Sequence, residues 1–318
     1  MSIDRNIAAE SWERMKDRFR GAMLGVAIGD ALGAPLEGSP MPAVSNLGPW
    51  IEEPPRPMRY TDDTHMTLAT AASLVERRGF DVEHMAQALA TQYEREPWRG
   101  YGAGPPRIFR LMRKGRKWKE ASAELFGGKG SFGNGAAMRI VPIGLLHCEA
   151  PERVVEIARE AARITHFHPL GEDGAVLQAA AVAKLVASPD TNQAELLEGL
   201  RQDVRTNRFQ DLLDKVALLD EARAETVVRE LGNGIEAHHS VPTALHCFLR
   251  HRDSFADALL YALSLGGDAD TIGSMTGALT GAAVGASSIP RSWSEGVEGR
   301  DELVDLSDRL LELVIAPR

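Results

Sequence analysis

The sequence predicts an all-α fold, a single compact orthogonal helical domain spanning residues 1–318. Three observations predict it. Apolar residues recur at helical spacing along most of the chain, and strand signals are weak throughout. Aromatic residues make up only 6% while Ala and Gly are abundant, a balance that suits closely packed helices better than sheets. No low-complexity linker or composition shift divides the 318 residues, and a hydrophobic share of 44% can fill one large core.

The N-terminal stretch "MSIDRNIAAESWERMKDRFR" mixes acids and bases and lacks the apolar centre of a signal peptide, so no leader is expected. A first helix follows over residues 19–32. The segment "MPAVSNLGPWIEEPPRPMRY" is too rich in proline for a helix and reads as a long ordered loop leading to an acidic motif. Helical periodicity then recurs over residues 66–75, 82–93, 151–164, 174–186, 194–200, 209–231, 241–248, 254–265, 272–284 and 302–315. The stretch 201–231 carries its charges on one face and Leu, Val and Ala on the other, as solvated outer helices do. The weakly polar run 271–289 is short for a bilayer span and studded with Ser, Thr and Gly, so it predicts a buried helix and no membrane segment.

A net charge of -9 argues against a general nucleic-acid or membrane-surface binder, which needs a positive field. Cys148 and Cys247 lie in apolar segments without metal-ligand spacing and read as free buried thiols in a reducing compartment. A cytoplasmic monomer is the expectation.

Two glycine series stand out. Gly21, Gly25, Gly29 and Gly33 recur every four residues, as do Gly273, Gly277, Gly281 and Gly285. Each series forms a stripe on one helix face and costs up to about 1 kcal/mol per glycine against alanine. The stripes serve either two unrelated partners or each other, in which case the two helices lie close together near the centre.

Acids flank both stripes. The first helix ends in "GDALGAPLEG" with Asp30 inside it and Glu37 beyond it; the second begins after "LGGDADTIG" with Asp268, Asp270 and Thr271. Antiparallel packing would bring these ends together, and a third helix start adds Thr61, Asp62 and Asp63 from "YTDDT". A single Asp at a helix start is ordinary capping, worth about 0.3 to 1 kcal/mol through the dipole. One cap suffices, yet acids arrive in pairs. Clustered carboxylates repel unless a cation gathers them, and ligands that are all hard oxygens favour Mg²⁺, with Mn²⁺ or Ca²⁺ as alternatives, over zinc. Carboxylates facing different ways suit two ions.

The glycine-rich "GGKGSFGNGAAMR" is not a P-loop, because Lys129 precedes Gly130, but its backbone can turn N–H groups onto an anion. A plain glycine turn is the alternative. His65, His147, His168, His238, His239, His246 and His251 carry no assigned role.

Together, "GDALGAPLEG", "YTDDT", "GYGAG", "GKGSFGNGAAMR", "ITHFHPLG", "LGNGIEAHHSVPTALHCFLR" and "GGDADTIG" resemble the ADP-ribosylglycohydrolases, the family of the dinitrogenase reductase-activating glycohydrolase. The glycine-rich stretches look most like its serine-ADP-ribose and O-acetyl-ADP-ribose hydrolase branch. The resemblance implies an all-α fold with two Mg²⁺ held by Thr61, Asp62, Asp63, Asp268, Asp270 and Thr271. It implies Glu37 and Asp268 as catalytic groups, with Glu37 gating entry. Phe126, Gly130, Ser131, Phe132, Gly133, Asn134, His166 and Ile235 fall where the family contacts its substrate, and Asp30 remains structural. The implied reaction frees ADP-ribose from a protein or small molecule, including serine, acetyl-ester and polymeric conjugates, by cleavage at C1 of the distal ribose. An arginine-ADP-ribose hydrolase, a non-catalytic ADP-ribose reader and a pyrophosphate-cleaving hydrolase are the alternatives.

Overall fold

Two glycine-striped helices, Ser2–Gly33 and Ala269–Val284, lie side by side through the centre of the molecule. The structure, a computed structural model, describes residues 2–41 and 44–315. The helices run antiparallel, with Gly21 facing Gly281, Gly25 facing Gly277, Gly29 facing Gly273, and Gly33 facing Asp270. Their backbones touch: a Cβ on Gly25 would lie 2.1 Å from the Gly277 carbonyl oxygen, and one on Gly281 2.0 Å from that of Gly21. No methyl group fits at either place. The two stripes therefore serve each other, and the propensity cost of the glycines is offset by this approach.

Helix Ala269–Val284 is buried without interruption through Ala282, its Asp270 and four hydroxyl side chains included. Helices Pro169–Ala187, Ala237–Arg250 and Phe255–Ser264 cover it, while Asp62–Arg77 and Arg300–Ile315 pack on each other and on Ser2–Gly33. The core runs continuously from Phe19 to Leu311. Among the described residues no strand forms; the β contacts are isolated bridges, Met58 with Val297 and Gly133 with Glu236. No described helix is long and apolar enough to cross a membrane. Cys148 and Cys247 are free and buried.

The expected helices are present, and three readings need correction. The first helix begins at Ser2, well before residue 19, and its Trp12 and Met15 pack against the core despite the polar composition around them. The expected helix 209–231 is two, Asn207–Leu218 and Ala224–Leu231. Arg250 explains the break, because its guanidinium donates to the carbonyls of Asp220 and Ala222 that a continuous helix would have used. The proline-rich segment does contain helical turns, Val44–Leu47 and the 3₁₀ turn Gly48–Ile51; Pro49 sits in the first turn of the latter, where the missing N–H removes no bond. Pro42 and Ala43 of that segment lie outside the described residues. Helix Gly104–Arg113 also went unpredicted, its Pro105 and Pro106 standing at helix-opening positions.

Candidate active site

The glycine register brings the end of the first helix against the start of Ala269–Val284, and Asp30 fixes a third helix beside them. Asp30 is buried, and its carboxylate accepts hydrogen bonds from Thr61 N at 2.8 Å, Thr64 N at 3.0 Å and Thr64 Oγ1 at 2.6 Å. It thus caps helix Asp62–Arg77 from another helix. Thr61 occupies the N-cap position yet makes no side-chain cap, and its buried Oγ1 has no partner. Asp268, at the N-cap of Ala269–Val284, makes no cap either; its Oδ2 accepts from Asn134 Nδ2 instead. Asp81, Asn192 and Ser254 all cap their helices conventionally. Capping therefore does not account for the acids at these two helix starts.

The site residues converge. One carboxylate oxygen each of Glu37, Asp268 and Asp270 lies within 4.8 Å of the others. Thr271 Oγ1 donates to Asp63 Oδ2 at 3.2 Å, joining the Asp-Asp segment to the Asp-x-Asp segment. Asp63 Oδ1 and Asp270 Oδ1 are buried without any donor. Burial, reinforced by the Asp30 charge, pushes the Asp62 carboxyl up to about 8. Burial and Asp268 push Asp270 up to about 9, and burial with Asp30 and Asp270 drives Asp63 well above the usual carboxylate range. Asp268 rises less, to about 6, because the Asn134 hydrogen bond opposes its burial. Among the described residues, no arginine or lysine is among the groups that shift these four carboxyls most. Arg139, a buried arginine that feels the Asp62 charge, donates to the carbonyls of Gly135 at 2.7 Å and Ala161 at 3.3 Å. Orphaned hard oxygens short of positive charge are what a divalent cation fits.

Beside this floor stands a wall of two loops. Asn134 N donates to Ile235 O at 2.9 Å and Ala237 N to Phe132 O at 2.9 Å, so the glycine loop and the segment before helix Ala237–Arg250 are stitched together. Gly130 has φ +73°, and a Cβ there would meet the Phe167 carbonyl at 1.9 Å, which forces glycine at this bend. The wall exposes apolar groups to solvent: Phe126 is 55%, Phe132 43% and Ile235 66% exposed. Exposed aromatic and aliphatic side chains on these loops suit an aromatic ligand. His166 is buried behind the loop with Nδ1 2.7 Å from Thr165 Oγ1, and burial together with Arg139 lowers its pKa to about 3, so the ring is neutral.

Two features escaped sequence reasoning. Asp30 was expected to be structural, but its work as a cap that leaves Thr61 Oγ1 free follows only from the helix register. Asn134, expected at the substrate, also ties the loop to the floor through Asp268 and Ser240, the latter at 3.0 Å. The only advance signal was its place in a glycine-rich run.

The family model for ADP-ribosylglycohydrolase matches residues 11–318. The chain is 37% identical over 343 residues to ADP-ribosylhydrolase ARH3 of Homo sapiens, covering 93% of each chain. It is 36% identical over 344 residues to ADP-ribosylhydrolase ARH3 of Mus musculus, covering 93% of this chain and 92% of the relative. A solved structure described as an ADP-ribosylglycohydrolase-related protein complex superposes with a TM-score of 0.75 at 28% identity, covering 95% of this chain and 100% of the other. With the fold, the acidic floor and the sequence in agreement, the chain belongs to the ADP-ribosylglycohydrolase family.

Proposed function

We propose that the chain is a Mg²⁺-dependent hydrolase that frees ADP-ribose from O-linked conjugates, namely serine-ADP-ribose, O-acetyl-ADP-ribose and poly(ADP-ribose), by cleavage at C1 of the distal ribose. The observation that carries this reading is the convergence of buried oxygens from three chain segments, three of them without a donor, next to an exposed aromatic wall. Thr61, Asp62, Asp63, Asp268, Asp270 and Thr271 would hold two Mg²⁺. Such ions supply positive charge that orients ribose hydroxyls and acidifies water.

The chain's own groups do the rest. Phe126, Phe132 and Ile235 hold the adenosine end by apolar contact, while the glycine loop, residues 130–134, lets its backbone approach the pyrophosphate closely. Neutral His166 offers a ring nitrogen to the ribose without adding charge. As the leaving group departs the ribose gains oxocarbenium character, which the surrounding carboxylates stabilise. The exposed Glu37 and Asp268, held by Asn134, carry out the two proton transfers. The relatives named ADP-ribosylhydrolase ARH3 support this reaction class. The two free thiols support a reducing, cytoplasmic setting.

The test is to incubate purified protein with serine-linked, arginine-linked and acetylated ADP-ribose, with Mg²⁺ or with chelator, and follow free ADP-ribose. Mg²⁺-dependent release from the serine and acetyl conjugates is expected. Release from the arginine conjugate alone would overturn the linkage assignment, and release of AMP would overturn the bond assignment.

A further inference from the structure

A groove of about 590 Å³ opens beside the acidic floor, lined by Arg59, Tyr60, Thr61, Trp98, Arg99 and Gly100, with Glu96 and Glu298 at its sides. It adjoins the reacting centre directly. Thr61 belongs to both, and a Cβ on Gly100 would sit 3.6 Å from Asp62 Oδ1. The adenosine wall reaches the floor through Asn134 and Asp268, whereas the groove reaches it through Thr61 and Asp62. From the proposed hydrolase reading, on which this inference rests, the group beyond C1 leaves toward the groove.

We infer that this groove is the leaving-group subsite, that it receives a polypeptide segment flanking the modified serine, and that Trp98 is its specificity-determining residue. The groove base is rigid. Arg99 forms paired hydrogen bonds with Glu298 at 2.8 and 2.9 Å, another with Glu96 at 2.6 Å and one with Tyr60 O at 2.9 Å, and its guanidinium lies 4.2 Å from the Tyr60 ring centroid. Such a network pairs its charges with one another and offers little to a ligand. Trp98, by contrast, stands 73% exposed on the rim, an indole with no packing reason to be there.

The charge inventory selects the occupant. The lining carries two arginines and two glutamates, and Arg99 is already taken by the glutamates. A further ADP-ribose unit would bring two phosphates to a groove of no net positive charge, where phosphate recognition needs arginine or lysine in excess. An acetyl group is far too small for the volume. A peptide meets both limits, its backbone spanning the groove and its side chains lying against the indole.

The experiment compares wild type, Trp98→Ala and Trp98→Phe on three substrates: a serine-ADP-ribosylated peptide, O-acetyl-ADP-ribose and poly(ADP-ribose). Trp98→Ala should raise KM for the peptide about fivefold or more with kcat little changed, and Trp98→Phe should recover most of that loss. Parameters for O-acetyl-ADP-ribose should stay within about twofold of wild type, since an acetyl group does not reach the rim. Equal changes on all substrates, or none on the peptide, overturn the inference. A matching KM rise on poly(ADP-ribose) overturns the peptide assignment in favour of a chain subsite. A wild type inactive on every substrate sinks the hydrolase reading itself, whereas activity on all three with an indifferent Trp98→Ala sinks the groove alone.

Discussion

Glu172 and Asp173 are adjacent acids near the start of a buried helix, as Asp62 and Asp63 are, yet the two pairs are electrostatic opposites. Arg163 binds Glu172 through bonds of 2.9 and 3.0 Å, and Arg159 binds Asp173 at 2.8 Å. The other Asp173 oxygen accepts from Arg205 N at 3.0 Å and Thr206 N at 2.7 Å. The first pair is thus matched charge for charge from within the chain. The second pair faces Asp30, Asp268 and Asp270 and meets no guanidinium. Adjacent acids are therefore not in themselves the mark of a site; what marks it is the absence of a counter-charge that burial demands.

The largest expected difference between the two pairs lies in activity. Asp62→Asn or Asp270→Asn should reduce ADP-ribose release by about a thousandfold or more, since each alters a carboxylate of the floor proposed to hold the cation. The same changes should leave the metal-free protein as stable as wild type or more so, because each removes a carboxyl whose pKa, raised to about 8 or about 9, makes folding take up a proton at neutral pH. Rates measured with Mg²⁺ and unfolding measured in chelator check both halves. Metal-free variants that melt early would show the cluster to be a structural network, and the comparison would fail.

Asp173→Ala should behave in the opposite manner. Breaking the buried pair strands two N–H groups and leaves Arg159 only Glu172 at 3.8 Å and the Asp203 carbonyl at 3.4 Å, at a cost of about 3 kcal/mol in denaturant unfolding with or without Mg²⁺. A loss near zero would mean that the arginines find new partners, and that the two regions differ less than their geometry says. Third in size is the effect of the cation itself: at a hundredfold excess over its Kd, Mg²⁺ should stabilise wild type by about 2.7 kcal/mol and Asp270→Asn by much less. Thermal shifts with and without chelator read the difference.

This contrast was only partly legible in the sequence. The helices came from periodicity, and the antiparallel pairing of the two stripes was a sound inference from glycines spaced four apart with acids at both ends. In the sequence the two acid pairs are alike in kind, because the arginines that neutralise Glu172 and Asp173 come from the preceding helix, Pro151–Arg163, and their reach depends on how the two helices dock. Asp30 hid for the same reason: its three donors lie more than thirty residues away along the chain. The break after Leu218 was invisible because Arg250, which stabilises it, belongs to another helix. Tertiary hydrogen bonds decide such details, and periodicity carries no record of them.

The smallest expected effect concerns His166, where the buried Arg139 makes itself felt. Burial and that guanidinium hold the imidazole pKa at about 3, against 6.5 for a free histidine. A folded pKa below the unfolded one means that the unfolded chain binds the extra proton, so this contribution is whole above 6.5 and is lost as pH falls toward about 3. Between these limits the loss approaches about 1.4 kcal/mol per pH unit for a single group. His166→Gln should therefore lose less stability than wild type when denaturation is moved from about pH 7 to about pH 5, whatever it does to activity. An identical acid sensitivity in both proteins would show that His166 is protonated with ease, and that Arg139 sets its charge against no histidine at all.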